Sequence, residues 1–311
     1  MRLWKQLLLS AAVGLALPAL ALALSMGKPG ATEKETTLPE ESGGDAAMLL
    51  RVLDEDGKTV VMDMQSYLTG VVLAEMPTDF EAEALKAQAV VARTYALKRL
   101  ETGDKHPGSV CTRPGCCQGY RDPEGFPAKA AEKAANAVEE TDGLVLRYGG
   151  ELIDATYFSC SGGSTEDAAA VWGADVPYLQ AVDSPGENAA YDTDTVRFSA
   201  EEFAGMLEQN LPGEPEAWFG SVTKTRGGGV DTMEIGGRTY RGTELRSIFG
   251  LRSTDFSVSV EGGTIMIETH GFGHRVGMSQ YGADAMAASG SSFDEILAHY
   301  YVGTGLEKQM G

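Results

Sequence analysis

Glu75 closes the apolar stretch Val71-Val72-Leu73-Ala74 and is followed at once by Met76-Pro77. A carboxylate in the last turn of a helix meets the negative end of the macrodipole. Apolar neighbours also draw it partly out of water. Both effects raise a pKa, and a carboxylic acid needs a raised pKa to donate a proton near neutrality. The next helix, expected over 81–100, carries Lys86, Gln88 and Arg93, with the two cations on one face. Either cation brought to Glu75 would pull that pKa down again, so the sequence leaves the balance open. A surface glutamate with solvated cations beyond it fits the same residues. Alanines at 82, 84, 87, 89, 92 and 96 keep this helix slim and permit close approach of a neighbour.

A second group is His106, Cys111, Cys116 and Cys117 in the Gly/Pro-rich stretch "HPGSVCTRPGCCQGY". One imidazole and three thiols form the four-ligand N/S set that structural Zn²⁺ takes. Adjacent Cys116 and Cys117 are poorly suited to bond each other, but a disulfide from Cys111 to either one is the competing reading. The fourth cysteine, Cys160, lies in "YFSCSGGSTED". It suits a thiol nucleophile with His274 as its base, or a small buried thiol in a tight turn. The segment "HGFGHRVGMSQYGADAMAASG" brackets His274 with glycines before a helix opens at about Met278. Ser279, Gln280 and Tyr281 fall in its first turn, where free backbone N–H groups and polar side chains can bind a polar ligand.

The elements that must position these groups read as α+β, a mixed, largely antiparallel sheet with packed helices. The segments "MLLRVL" and "TVVMDM" flank Asp54-Glu55-Asp56-Gly57, a hairpin with an Asp-Gly turn. Ser66 is the expected cap of a helix over 67–76 that Pro77 ends. Strands are expected over 144–147, 151–157, 178–182, 221–225, 232–235, 256–260 and 264–268. Helices are expected over 200–208, with a Ser199/Glu202 capping box, and over 278–288 and 292–300. Before all of this, Arg2 and Lys5 precede an uncharged apolar run over 7–24, which reads as a membrane anchor or a signal peptide and implies export. Residues 1–26 form that segment, 27–46 a flexible linker rich in Pro, Gly and charge, and 47–306 the folded domain. The formal net charge of −20 argues against nucleic acid or anionic lipid as a partner and leaves neutral polymers open.

Taken in order, "YLTGVVLAEMP", "EALKAQAVVARTYAL", "YFSCSGGSTED", "VPYLQAVDSP" and "GFGHRVGMSQYGADAMAASGSSFDEILAHYYVGT" resemble the stage II sporulation protein D family over residues 49–304. The resemblance implies a peptidoglycan lytic transglycosylase that acts on glycan strands stripped of their stem peptides and leaves 1,6-anhydro ends. It maps the catalytic acid onto Glu75. It also implies zinc held by His106, Cys111, Cys116 and Cys117, as in some relatives. The expected location is the cell membrane, single-pass, with the domain in the intermembrane space of a sporulating cell. The expected partners are a membrane protein and a cell-wall amidase of an engulfment complex. Arg275 departs from the pattern, since the family usually has glycine after this histidine, and that bears on the geometry of the loop. The substrate groove is expected between the Glu75 helix, the 159–165 loop and the 271–281 segment. Its candidate sugar contacts are Lys86, Gln88, Arg93, Ser159, Ser161, Gly162, Thr165, His274, Ser279, Gln280 and Tyr281. Two rival classes are a non-catalytic glycan-binding or amidase-enhancing module, whose relatives carry wall-binding repeats absent here, and a hydrolase built on Cys160 or a catalytic metal in the His106 loop.

Overall fold

A computed structural model describes residues 44–189 and 192–309. The apolar run over 7–24 and nearly all of the linker lie outside the described residues. Among those described, no helix is long and apolar enough to cross a membrane.

Gly57, at φ +81°, makes the expected Asp-Gly turn, and β1 (Leu49–Leu53) pairs antiparallel with β2 (Thr59–Asp63). Helix α1 (Met64–Glu75) starts earlier than its sequence suggests: Asp63, not Ser66, is the cap, and its carboxylate accepts the Ser66 N–H at 2.7 Å. It ends where expected, with Met76 extended ahead of Pro77. Helix α2 (Ala82–Thr102) runs to Gly103, whose φ of +60° closes it in the left-handed conformation. β3 (Val110–Cys111) adds to β1 in parallel, giving the order β2-β1-β3. Then follow α3 (Ala128–Glu140), β4 (Leu144–Tyr148), β5 (Glu151–Leu152), β6 (Tyr157–Phe158) and the short α4 (Ala168–Trp172).

The chain next builds β7 (Thr193–Ser199), α5 (Ala200–Met206), β8 (Phe219–Lys224), β9 (Val230–Ile235), β10 (Arg238–Arg241), α6 (Gly242–Phe249), β11 (Asp255–Glu261) and β12 (Thr264–His270). It returns through β13 (Met278–Ser279), α7 (Gln280–Ala288), α8 (Phe293–Tyr300) and β14 (Gly305–Lys308). The capping boxes at Ser199/Glu202 and Ser292/Glu295 are both formed.

The α+β class holds, but the sheet is divided. Among the described residues there are several small sheets, mostly antiparallel, with parallel pairing at β1–β3 and β6–β13. The stretch expected as a strand over 178–182 is irregular after a turn at 177–178, and 151–157 breaks into β5 and β6. Met278 and Ser279 are strand rather than the first turn of α7, because β13 lies beside β6. Two apolar cores result. One gathers Tyr67, Leu68, Val71 and Val72 of α1 with Val91 of α2, Val138 of α3 and Leu297 of α8. The other gathers Phe203, Trp218, Phe249, Ile265 and Ile267, with the Phe203 and Phe249 rings stacked 4.6 Å apart.

Candidate active site

Glu75 is the last residue of α1, and around it Val71, Val72, Leu73 and Met76 are all buried. The sequence from 118 to 121 closes over this helix end. Gly70 permits it, because a Cβ there would lie 2.2 Å from the Tyr120 ring, and Arg121 N–H donates to the Gly70 carbonyl at 3.1 Å. Gly119 permits it too: its N–H donates to Glu75 Oε1 at 2.6 Å, and a Cβ on it would sit 3.0 Å from that oxygen. The Tyr157 phenol is the carboxylate's other hydrogen-bond partner. Burial raises the Glu75 pKa above the ordinary carboxylate range, and the Gly119 and Tyr157 hydrogen bonds oppose the rise without cancelling it. A polar relay supports Tyr157 from behind. Gln118, almost wholly buried, donates from Nε2 to the Tyr157 hydroxyl at 3.3 Å and accepts from the Tyr67 hydroxyl at 3.4 Å. Burial pushes both phenols well above their ordinary range, so they stay protonated donors.

The cations of α2 do not join this group. Lys86 is ion-paired with Glu83 at 2.7 Å and Glu140 at 2.5 Å. Arg93 is 1 % exposed and clamps Asp45, itself buried, while donating to the Leu144 carbonyl at 3.1 Å. The sequence left open whether either cation meets the carboxyl; the structure brings neither to it, and both are engaged in the scaffold. Gln88 is buried and accepts from Gln280 Nε2 at 3.4 Å, joining α2 to the start of α7.

The two glycine-rich segments meet each other. Cys160 and Phe272 exchange backbone hydrogen bonds, at 2.7 Å from Phe272 N–H and 3.3 Å from Cys160 N–H. Gly162, at φ +76°, passes so near His270 and Gly271 that a Cβ would stand 3.1 Å from their backbone. The close approach expected of this loop is thus made by the protein's own chain. Glu187 organises the same region: it accepts from Ser161 Oγ at 2.8 Å, Ser184 Oγ at 2.7 Å and Ser279 Oγ at 2.6 Å. Ser161, Thr165 and Ser279 are fully buried, so their hydroxyls serve the fold. Thr165 Oγ1 accepts the Val182 N–H at 2.8 Å, and Ser279 caps α7 by accepting the Gly282 N–H at 3.1 Å. Ser159 and Tyr281 are brought next to each other, the Tyr281 N–H donating to the Ser159 carbonyl at 3.0 Å, and the Tyr281 ring meets Phe80 edge-on at 4.8 Å.

His274 lies between the Phe158 and Trp172 rings, at 5.7 Å and 5.2 Å, and its Nδ1 accepts the Val276 N–H at 3.1 Å. Burial, aided by the nearby Arg246 charge, lowers its pKa to about 4, against the opposing effect of a hydrogen bond with the Tyr157 backbone. The imidazole is neutral at physiological pH. Cys160 is no activated nucleophile: burial first, and then the Glu187 charge, push its thiol up to about 11. Arg275 takes a left-handed φ of +64°, the conformation for which glycine is the unstrained choice, and its buried guanidinium binds the Ser161, Ser164 and Gly227 carbonyls.

The donor atoms of His106, Cys111, Cys116 and Cys117 lie within 4.8 Å of one another, and His106 Nε2 is 3.3 Å from Cys116 Sγ. A tetrahedral N/S site places its donors about 3.3–3.8 Å apart, so a small contraction would let this set hold a metal ion. All four cysteines are free thiols, so neither disulfide from Cys111 is formed. Tyr157, Gln118, Gly119 and Glu187 had no assigned role in the sequence. Their one legible signal was position, two of them directly after the Cys116-Cys117 pair and one at the head of "YFSCSGG".

The structure thus shows an α+β protein with a largely buried carboxyl whose pKa is raised, two buried phenols linked through Gln118, and a His/Cys cluster whose loop leads into Gln118 and Gly119. The family described as "Stage II sporulation protein" matches residues 55–148, the stretch that holds α1, α2 and the His/Cys loop. Stage II sporulation protein D of Bacillus amyloliquefaciens is 38% identical over 257 residues, 79% of this chain and 74% of the relative. Its namesake from Bacillus subtilis (strain 168) is 38% identical over 254 residues, covering 78% and 73%. An amidase enhancer of Bacillus subtilis (strain 168) is 30% identical over 293 residues, 77% of this chain and 40% of the relative. The chain belongs to the stage II sporulation protein D family.

Proposed function

We propose that this protein is a peptidoglycan lytic transglycosylase acting on glycan strands from which the stem peptides have been removed, in wall remodelling during sporulation. The observation that carries the reading is the Glu75 carboxyl, raised in pKa by burial yet held by the Gly119 N–H and the Tyr157 phenol. Protonated Glu75 donates to the oxygen that links N-acetylmuramic acid to N-acetylglucosamine, and the bond from muramyl C1 to that oxygen breaks. Positive charge develops at C1 and the ring oxygen. The Glu75 carboxylate, stabilised at that moment by its two hydrogen bonds, then takes the proton of the muramyl C6 hydroxyl as O6 closes on C1. The product is a 1,6-anhydro end, no water is consumed, and Glu75 ends protonated as it began. One carboxyl therefore suffices, in contrast to the paired carboxylates of hydrolytic glycosidases.

His106, Cys111, Cys116 and Cys117 would hold zinc, which with four protein ligands serves as a cross-link of the 106–117 loop. This loop leads straight into Gln118 and Gly119, so its rigidity bears on the carboxyl. Substrate preparation by an amidase, an N-terminal anchor with the domain outside the cytoplasm, and an engulfment complex as partner belong to the same proposal. The amidase-enhancer relative favours a second reading, a module that assists an amidase without cutting glycan. Incubating the domain and its Glu75→Gln variant with denuded glycan strands separates the two. Anhydromuramyl ends seen by mass spectrometry with the wild type alone support the lytic reading. Their absence, with an accompanying amidase accelerated, supports the other.

A further inference from the structure

The two described tryptophans are used in opposite ways. Trp218 is 6 % exposed, and its indole N–H donates to the Pro212 carbonyl at 3.1 Å. Trp172, the last residue of α4, is 47 % exposed. Leaving so large a ring in water forgoes the free energy that burial would return. The ring is nevertheless held in place. It meets the His274 ring at 5.2 Å, and His274 in turn meets the buried Phe158 ring at 5.7 Å.

This stack lies across β6 from the acid site. Successive side chains of a strand point to opposite faces, and Tyr157 and Phe158 divide in that way. The Tyr157 hydroxyl accepts from Gln118 Nε2 at 3.3 Å, next to the Gly119 N–H that binds Glu75, whereas Phe158 turns to His274. A positive charge accompanies the indole. Arg241 donates to the Ala170 carbonyl at 3.1 Å, in the same turn of α4 as Trp172, and is ion-paired to no carboxylate among the described residues. In a chain of net charge −20, a cation without an acid partner makes the neighbourhood of this ring a local exception.

A protein interface needs a broad apolar patch, and this one is narrow: Gly173, Ala174 and Asp175 beyond the ring are exposed and small or acidic. A pyranose needs less. Its C–H face covers one aromatic ring while its hydroxyls stay in water. We infer that Trp172 is an auxiliary glycan-binding platform away from the scissile bond, and that Arg241 beside it selects sugars bearing a carboxylate. On the proposed substrate that group is the lactyl carboxylate of N-acetylmuramic acid, set free when the stem peptide is removed. The inference rests on the proposed glycan substrate and adds a second point of contact to it. A polymer held at two points gains affinity only when it is long enough to reach both, so the effect of Trp172 should grow with strand length.

The full chain carrying Glu75→Gln binds without cutting, so calorimetry on that background reads affinity directly. The probes are denuded glycan strands of increasing length, and chitooligosaccharides, which lack the lactyl group. Trp172→Ala should weaken binding of long denuded strands about tenfold, the order of one aromatic stacking contact, and Trp172→Phe should keep most of the affinity. Arg241→Gln should lose about two- to fivefold on denuded strands, the order of an exposed ion pair, and nothing on chitooligosaccharides of equal length. Long strands should also change the tryptophan emission, and that change should be missing in Trp172→Phe. Unchanged affinity with a lower melting temperature in Trp172→Ala would make the ring a packing residue and overturn the inference. No loss in Arg241→Gln, or equal losses on both probes, would overturn the selection of a carboxylate. If Trp172→Ala does not fold, the emission of Trp172→Phe and the affinities of Arg241→Gln still decide. If the wild type makes no anhydromuramyl ends, the lytic reading fails by itself, while the affinities still report whether Trp172 holds glycan.

Discussion

A carboxyl whose pKa is raised by burial is also a destabilising residue, and Glu75 shows how the two properties are linked. Burial raises its pKa in the folded protein. Between the unfolded and folded pKa values the folded protein keeps a proton that the unfolded chain has released. Stability therefore falls as pH rises through that window, and the deficit persists above it. Glu75→Gln removes the titration. On the proposed reading, the variant should lose glycan-cleaving turnover by about 10²–10⁴-fold, the range of a general acid–base. It should also melt higher than wild type near neutrality, and that advantage should vanish at a pH below the unfolded carboxylate range. Melting curves across pH check the second part, and a variant that melts lower at neutral pH would refute it. Tyr157→Phe acts in the other direction. It removes a donor that favours the carboxylate, so the folded pKa climbs further and the alkaline limb of the kcat/KM profile should move to higher pH. A limb that stays in place would show the phenol does not hold the charge. Glu75 was legible in the sequence because its signal is local: a lone acid, apolar neighbours and a proline two residues on. Gly119 and Tyr157 were not, since 44 residues separate Glu75 from the N–H that binds it and only the fold joins them.

The His106–Tyr120 segment works as a strap across α1. Its far end carries Gln118, Gly119 and Tyr120, which meet Tyr157, Glu75 and Tyr67, the last as rings 6.2 Å apart. Its near end is the His/Cys cluster, so a metal there would fix the loop from which Gly119 reaches the carboxyl. Stripping metal with a chelator, or making Cys117→Ser, should lower the melting temperature and also lower kcat, with both restored to the chelated wild type by added zinc. Elemental analysis of the purified protein gives the metal content directly, and a disulfide through Cys111 with no bound metal would refute the assignment. The capped α5 could be read from sequence because its signal lies within one turn, Ser three residues before Glu. Helix α3 was not read although its Ala/Lys/Glu pattern favours helix, for only Ala134, Ala137 and Val138 of it are buried and the apolar face is short. The 151–157 run is the converse case. Its residues suit a strand, but β5 and β6 serve different sheets, and nothing local marks the break.

At the scale of the whole molecule, the two cores are joined where Arg275 sits. Its guanidinium reaches the 161–166 loop of the first core through the Ser161 and Ser164 carbonyls and Glu166. It reaches the β8–β9 turn and β11 of the second through the Gly227 carbonyl and Asp255, at 2.8 Å and 3.9 Å. Glu166 is fully buried, and its Oε1 also accepts from Thr225 Oγ1 at 2.7 Å and Gly229 N–H at 3.0 Å. The sequence marked Arg275 only as a departure from glycine; that the departure creates a buried ion pair between two cores was beyond any local pattern. The left-handed φ costs about 1–3 kcal/mol for a residue with a side chain, so the guanidinium contacts must offset it. Deleting one partner of a buried pair leaves the other charge uncompensated, at about 3–5 kcal/mol. Arg275→Ala should therefore destabilise by an amount in that range, and Arg275→Gly by somewhat less, since glycine relieves the backbone while still abandoning Glu166. Glu166→Gln should cost less than Arg275→Ala, because the amide oxygen can still accept from Thr225 and Gly229. Restoring neutrality with Arg275→Gly and Glu166→Gln together should lose less than the sum of the single changes. Urea unfolding of the four variants measures all of this, and strict additivity would show that the two residues act separately and that the cores are held together elsewhere.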